Sequence, residues 1–160
     1  TDVGDLSQGR SYSCGQSSSE NGYTSGGFTP AFSNVIDKFP FASDENATDV
    51  GDLLAGLIRM SSQSSDVSGY TAGGSTPSTT NTIQKFPFAS DGNATDVGDL
   101  TVSRRSNAGQ SSTVSGYTSG GYGSPEYLNV IDKFPFASDA NATDVGDLTV
   151  ARNGVAGQQV

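Results

Sequence analysis

The residues that could do chemistry in this chain come in a repeated frame of oxygen donors: Asp44, Asn46, Thr48 and Asp52; Asp91, Asn93, Thr95 and Asp99; Asp139, Asn141, Thr143 and Asp147. Oxygens at alternating positions of a tight loop are what calcium requires, because a hard cation gathers several carboxylate, amide and hydroxyl oxygens. Only two positions of each frame are carboxylates, so calcium bound there is expected to be weakly held, and no other cofactor is called for. The alternative is that Asp and Asn close Asx turns between strands. Paired carboxylates can also hydrolyse glycosides when burial raises one pKa. A pair copied along the chain argues against that, since a catalytic site is normally unique. Asn46, Asn93 and Asn141 each begin an Asn-Ala-Thr triplet, the acceptor pattern for N-glycosylation.

The rest of the composition narrows the chemistry further. There is no histidine and a single cysteine, Cys14. Ser/His/Asp and Cys/His catalysis, thiolate or imidazole zinc sites and an intrachain disulfide framework are therefore excluded. Seventeen acidic side chains face eight basic ones, for a net charge of −9. Without a basic cluster, the chain is not expected to bind nucleic acid or an anionic membrane surface. No apolar run approaches the length of a bilayer span. The expectation is a protein that is not an enzyme.

The elements that position these residues are tandem repeats. The hexapeptide TDVGDL begins at Thr1, Thr48, Thr95 and Thr143, at spacings of 47, 47 and 48 residues. The same period carries GYTSGG or GYTAGG at Gly22, Gly69 and Gly116, the run KFPFASD, and Gln16, Gln63, Gln110 and Gln158. Repeats are accordingly assigned to 1–47 (with an offset start), 48–94 and 95–142, with a partial fourth at 143–160. The extra residue of the third repeat falls between Gly121 and Asn129, which marks a surface loop.

Each repeat reads as short extended segments separated by glycine and Asp/Asn turns, with no sustained helical period. The segments are AGQSS, SGYTSGG, NVIDKFPF and TDVGDL or their variants. The helix-like run from Leu53 to Met60 has β-branched counterparts in later repeats and is expected to be a variant strand. Short strands at this period predict an all-β protein of four-stranded repeats. Propeller blades fit the repeat length best, with a β-solenoid or stacked β-fibre as the alternative.

Several features together resemble the kelch repeat: a Gly pair closing a Tyr-containing strand (Tyr23, Tyr70, Tyr117), an Asn/Ile/aromatic strand after it, and a Leu then Arg step at Leu100/Arg104 and Leu148/Arg152. The kelch tryptophan is missing, and Leu57 stands where the second repeat would have arginine. The resemblance implies propeller blades, with Arg10, Arg104 and Arg152 donating hydrogen bonds between them. The Asp/Asn frame is similar to the calcium loops of FG-GAP propellers, but departs from them at Thr48, Thr95 and Thr143 and at Asp49, Asp96 and Asp144. The wording of KFPFASDANATDVGDLT resembles repeat proteins of marine bacteriophages and their cyanobacterial hosts, which implies a virion or extracellular surface location.

About 3.4 repeats, with 1–18 and 143–160 duplicating each other, suggest part of a longer array or a multi-chain assembly formed by self-association. Tyr23, Tyr70, Tyr117, Phe39, Phe86 and Phe134 are expected to form a thin core between blades. Cys14 occupies a position that is alanine at Ala108 and Ala156, so a small buried residue is expected there. Variation concentrates in the loop after the Gly pair, which reads FTPAFS, STPSTT and YGSPEYL. Loops of this kind on a rigid repeat scaffold commonly bind, and Phe28, Phe32, Tyr122 and Tyr127 are the expected partner-binding residues. The functional expectation is a structural and adhesive protein, with a glycan or cell-surface ligand as partner. A calcium-dependent adhesion module and a glycan-active enzyme are the alternatives.

Overall fold

A computed structural model describes residues 2–157; Thr1 and Gln158 lie outside the described residues. The chain is all-β, with fourteen strands among the described residues: β1 (Cys14–Ser17), β2 (Asn21–Ser25), β3 (Val35–Pro40), β4 (Thr48–Asp52), β5 (Ser61–Ser64), β6 (Ser68–Ala72), β7 (Ser75–Thr76), β8 (Ser78–Thr79), β9 (Thr82–Pro87), β10 (Thr95–Asp99), β11 (Ala108–Ser111), β12 (Ser115–Ser119), β13 (Val130–Pro135) and β14 (Thr143–Asp147). They form three four-stranded antiparallel sheets, β1-β2-β3-β4, β5-β6-β9-β10 and β11-β12-β13-β14, plus the small hairpin β7-β8. Each large sheet is a meander read in chain order. Leu53 to Met60, expected as a variant strand, is instead an irregular connector bridged at Ile58 to Ser75. Its apolar residues serve the core: Leu53, Leu57 and Met60 are buried.

The repeated words of the sequence have local explanations. Gly22, Gly69 and Gly116 lie opposite Phe39, Phe86 and Phe134 in the ladder. A Cβ at any of these glycines would fall inside the facing phenylalanine ring, so the GY and KFPF motifs require each other. In TDVGDL, the carboxylate of Asp49 accepts the Gly51 N–H, as Asp96 does from Gly98 and Asp144 from Gly146. This Asx turn coincides with a bulge in each ladder between the third and fourth strands. A bulge shifts which face a side chain takes; Val50 and Val97 pack on the core here.

The core lies between sheets. Tyr23 of the first sheet packs on Phe86 and Phe88 of the second, at 5.5 and 4.8 Å between ring centroids. Tyr70 of the second repeats this against Phe134 and Phe136 of the third, at 5.6 and 4.9 Å. Burial raises the pKa of both tyrosine hydroxyls. Ile36 and Ile83 sit behind them, completely buried. Gln16 donates to the Tyr70 carbonyl and Gln63 to that of Tyr117, tying each first strand to the next sheet. A second ladder joins the connectors: the Arg59 N–H donates to the Tyr12 carbonyl, Ser106 to Arg59, and Gly154 to Ser106. All four residues have a positive φ, between 54° and 64°.

One step of this framework is incomplete. Ser25 donates to the Gln16 side-chain carbonyl and Ser119 to that of Gln110, but the second sheet has Ala72 at that position and the Gln63 oxygen is buried without a partner. Ala72→Ser supplies the missing donor. It is expected to stabilise the chain by about 1 kcal/mol, the net worth of a buried hydrogen bond. Chemical denaturation would measure this, with Ser25→Ala as the converse variant.

Candidate functional site

The four aromatic residues singled out in the variable loops come together in two pairs. Phe28 and Phe32 meet edge to face with centroids 5.8 Å apart, and Tyr122 and Tyr127 do the same at 5.8 Å. Each loop is anchored to the preceding connector in the same way, through the bridges Ser11 to Phe28, Ile58 to Ser75 and Arg105 to Tyr122. The loops therefore occupy equivalent positions on the three sheets. In the second, the β7-β8 hairpin replaces the aromatic pair with Ser and Thr. Phe28, Phe32 and Tyr127 are exposed by 41%, 39% and 57%, ample for a ligand to stack on them. The two aromatic pairs make no ring contact with each other.

Sequence reasoning missed the cations beside these rings. The Arg105 guanidinium lies 5.1 Å from the centre of the Tyr122 ring, and Arg59 lies 4.6 Å from that of Tyr12. Tyr12 is 55% exposed. Aromatic faces with adjacent guanidinium donors suit ligands that present both an apolar face and hydrogen-bonding oxygens. The only available sequence signal was that Tyr12 and Arg59 share a repeat position.

The Asp/Asn frame is regrouped by the fold. Asn46 does not face Asp52, its neighbour in the frame; its side-chain oxygen accepts the N–H of Asp5, 41 residues earlier. Asn93 likewise accepts from Asp52, and Asn141 from Asp99. The return bonds run from the Ala47, Ala94 and Ala142 N–H groups to the carbonyls of Asp5, Asp52 and Asp99. The asparagines thus clamp each sheet to the TDVGDL segment that precedes it, and their residues remain exposed. Asp91 pairs with Lys38 and Asp139 with Lys85, again across neighbouring sheets. Thr48, Thr95 and Thr143 begin the fourth strands, and Asp147 ends the last of them. Among the described residues, no three His, Cys, Asp or Glu side chains lie close enough together to hold a metal.

Among the described residues, two carboxylates are fully buried, and each faces an arginine. Asp37 pairs with Arg10 and Asp132 with Arg104, the latter at 2.7 Å. The arginines also donate to backbone carbonyls: Arg10 to Gly26 and Val35, Arg104 to Gly120 and Val130. Each therefore ties a connector to the second and third strands of the sheet that follows it. Burial lowers the Arg104 pKa, with Asp132 opposing that shift. In the second repeat Leu57 replaces the arginine, and its carboxylate partner is replaced as well, by Gln84. The Gln84 side chain accepts the Leu54 N–H, as Asp37 does that of Ser7 and Asp132 that of Thr101.

The remaining reactive group is Cys14, whose thiol burial pushes up to about 12. It is a small packed side chain beside the first core cluster. The ends of the first strands open on a groove of about 360 Å³ lined by serines of all three repeats. Compared with known proteins, the chain matches no family model and no curated protein sequence.

Proposed function

We propose that the chain is a non-enzymatic structural and adhesive repeat protein, a component of a virion appendage or extracellular assembly that binds a glycan or cell-surface ligand through the loops after the Gly pairs. The observation that carries this reading is the division of labour within each repeat. The repeated Asp, Asn, Lys, Gln and Tyr residues are engaged between sheets, whereas the variable loops present exposed aromatic pairs at equivalent positions. Equivalent sites along one scaffold favour avidity, in which individually weak contacts act together. The likeness of KFPFASDANATDVGDLT to phage and cyanobacterial repeat proteins supports the assignment to a virion or surface assembly.

A kelch-like blade arrangement is part of the same proposal. In its support, first strands of successive sheets lie against one another, β1 on β5 and β5 on β11, with no comparable approach between fourth strands. Sheets close at one edge and separated at the other splay as blades do.

The test is a combined Phe28→Ala, Phe32→Ala, Tyr122→Ala and Tyr127→Ala variant assayed for binding to host cells or surface polysaccharide. Binding is expected to fall by roughly tenfold or more, the scale for losing aromatic anchors. Thermal stability is expected to change little, because three of the four side chains are exposed. Undiminished attachment by the folded variant would overturn the assignment of the binding face.

A further inference from the structure

Both sheet-to-sheet interfaces use one set of contacts, and the two outward faces of the array carry the two halves of a third set. On the outward face of the third sheet, Tyr117 has no phenylalanine pair against it, and its ring contact is with Lys133, 5.9 Å away. Lys133 has no carboxylate partner among the described residues, whereas Lys38 and Lys85 do. Ile131 is half-buried, where Ile36 and Ile83 are completely buried. Val145 is 51% exposed, and a Cβ at Gly146 would meet nothing within 4 Å, although Cβ atoms at Gly51 and Gly98 would meet the backbone of the next sheet. Arg152 is exposed and has no carboxylate partner among the described residues, unlike Arg10 and Arg104.

The outward face of the first sheet offers the complement. Phe39 and Phe41 pack on each other without a tyrosine, and Phe41 is 56% exposed. Asp44 has no lysine, and no glutamine donates to the Tyr23 carbonyl among the described residues. The seat at Asn46 and Ala47 is filled by Asp5 of the chain's own first hexapeptide, and Asp37 by Arg10. Residues 1–6 and 143–148 are the same sequence, TDVGDL. An incoming 143–152 segment can therefore take over these seats with little local cost, in the manner of an exchanged identical element.

We propose that a second copy of this chain docks head to tail, laying its third sheet on the first sheet. Tyr117 then packs on Phe39 and Phe41, Lys133 pairs with Asp44, Gln110 donates to the Tyr23 carbonyl, and residues 143–152 displace residues 2–10. Continuity with the two existing interfaces identifies the occupant, since every contact named already occurs twice within the chain. The contact is heterologous, so it propagates into a ring or a filament. This inference uses the end faces and not the aromatic loops, so it stands or falls separately from the adhesive reading.

The experiment is sedimentation velocity of the 160-residue chain over micromolar to millimolar concentration, with Tyr117→Asp and Phe41→Asp variants. The unmodified chain is expected to form concentration-dependent oligomers. Each variant alone should associate roughly tenfold or more weakly, as expected for loss of a central aromatic anchor. Each keeps one intact face, so an equimolar mixture is expected to form one-to-one dimers that grow no further. Circular dichroism checks that both variants remain folded. A monomer at every concentration overturns the proposal. So does assembly of either folded variant as tightly as the unmodified chain, or a mixture that fails to pair.

Discussion

Replacing Arg104 with leucine is expected to destabilise the chain by about 3–5 kcal/mol, the cost of stranding a buried charge, while adding Asp132→Gln recovers most of that loss. Arg104 and Asp132 have no exposed side-chain surface. Removing the guanidinium alone leaves a buried carboxylate held by the Thr101 N–H and hydroxyl. It also removes the guanidinium donor from the Gly120 and Val130 carbonyls, of which Val130 keeps the Gly120 N–H. The double variant reproduces the second repeat, where Leu57 and Gln84 occupy the same seats and Gln84 still accepts a backbone N–H. A neutral pair of similar shape avoids the desolvation penalty, which is why exchanging both partners of a buried ion pair can be close to neutral. Urea denaturation of both single variants and the double gives the coupling directly. If the double is no more stable than Arg104→Leu, the second repeat is not a working template for this exchange.

The second large effect belongs to a glycine. Gly98 has φ +144°, and a Cβ there would lie 2.5 Å from the Ala140 carbonyl oxygen of the next sheet. Gly146 has nearly the same backbone, φ +152°, with nothing within 4 Å of that Cβ. Gly98→Ala and Gly146→Ala therefore share the backbone strain and differ only in the close approach. Gly98→Ala should be the more destabilising by about 1–3 kcal/mol, the scale of overpacking against a fixed neighbour. The Asn141 clamp on Asp99 should loosen with it, because both lie at the same contact. Dilute protein and thermal or urea unfolding are the conditions to use. Equal losses in the two variants would mean that the repeats slide apart freely at the Ala140 contact.

These variants show where the sequence could be read and where it could not. The four strands of each repeat are legible because glycine pairs and Asp/Asn turns punctuate short extended segments. Pairing Tyr23 with Phe86, and Tyr70 with Phe134, also follows once a shared core between repeats is assumed. The Asp/Asn frame misleads because its four members lie close in sequence, whereas Asn93 finds Asp52 across 41 residues. Nothing within one frame signals a partner in the preceding TDVGDL segment. The exchange of Leu57 with Gln84 is visible in the letters but has no meaning until Arg104 is seen against Asp132, 28 residues on. The connector from Leu53 to Met60 departs from the strand expected there because Leu53, Leu57 and Met60 fill the space between two sheets.

The central claim is that the repeated acidic and amide residues hold sheet against sheet, leaving recognition to the variable loops. Thermal unfolding in EDTA and in millimolar calcium tests it most directly, since an ion bound only to the native state stabilises it by mass action. The account predicts the same melting temperature in both solutions, with asparagine oxygens engaged by the Asp5, Asp52 and Asp99 N–H groups. A melting temperature that rises with calcium concentration and falls in EDTA would contradict it and make the Asp/Asn frame a calcium site.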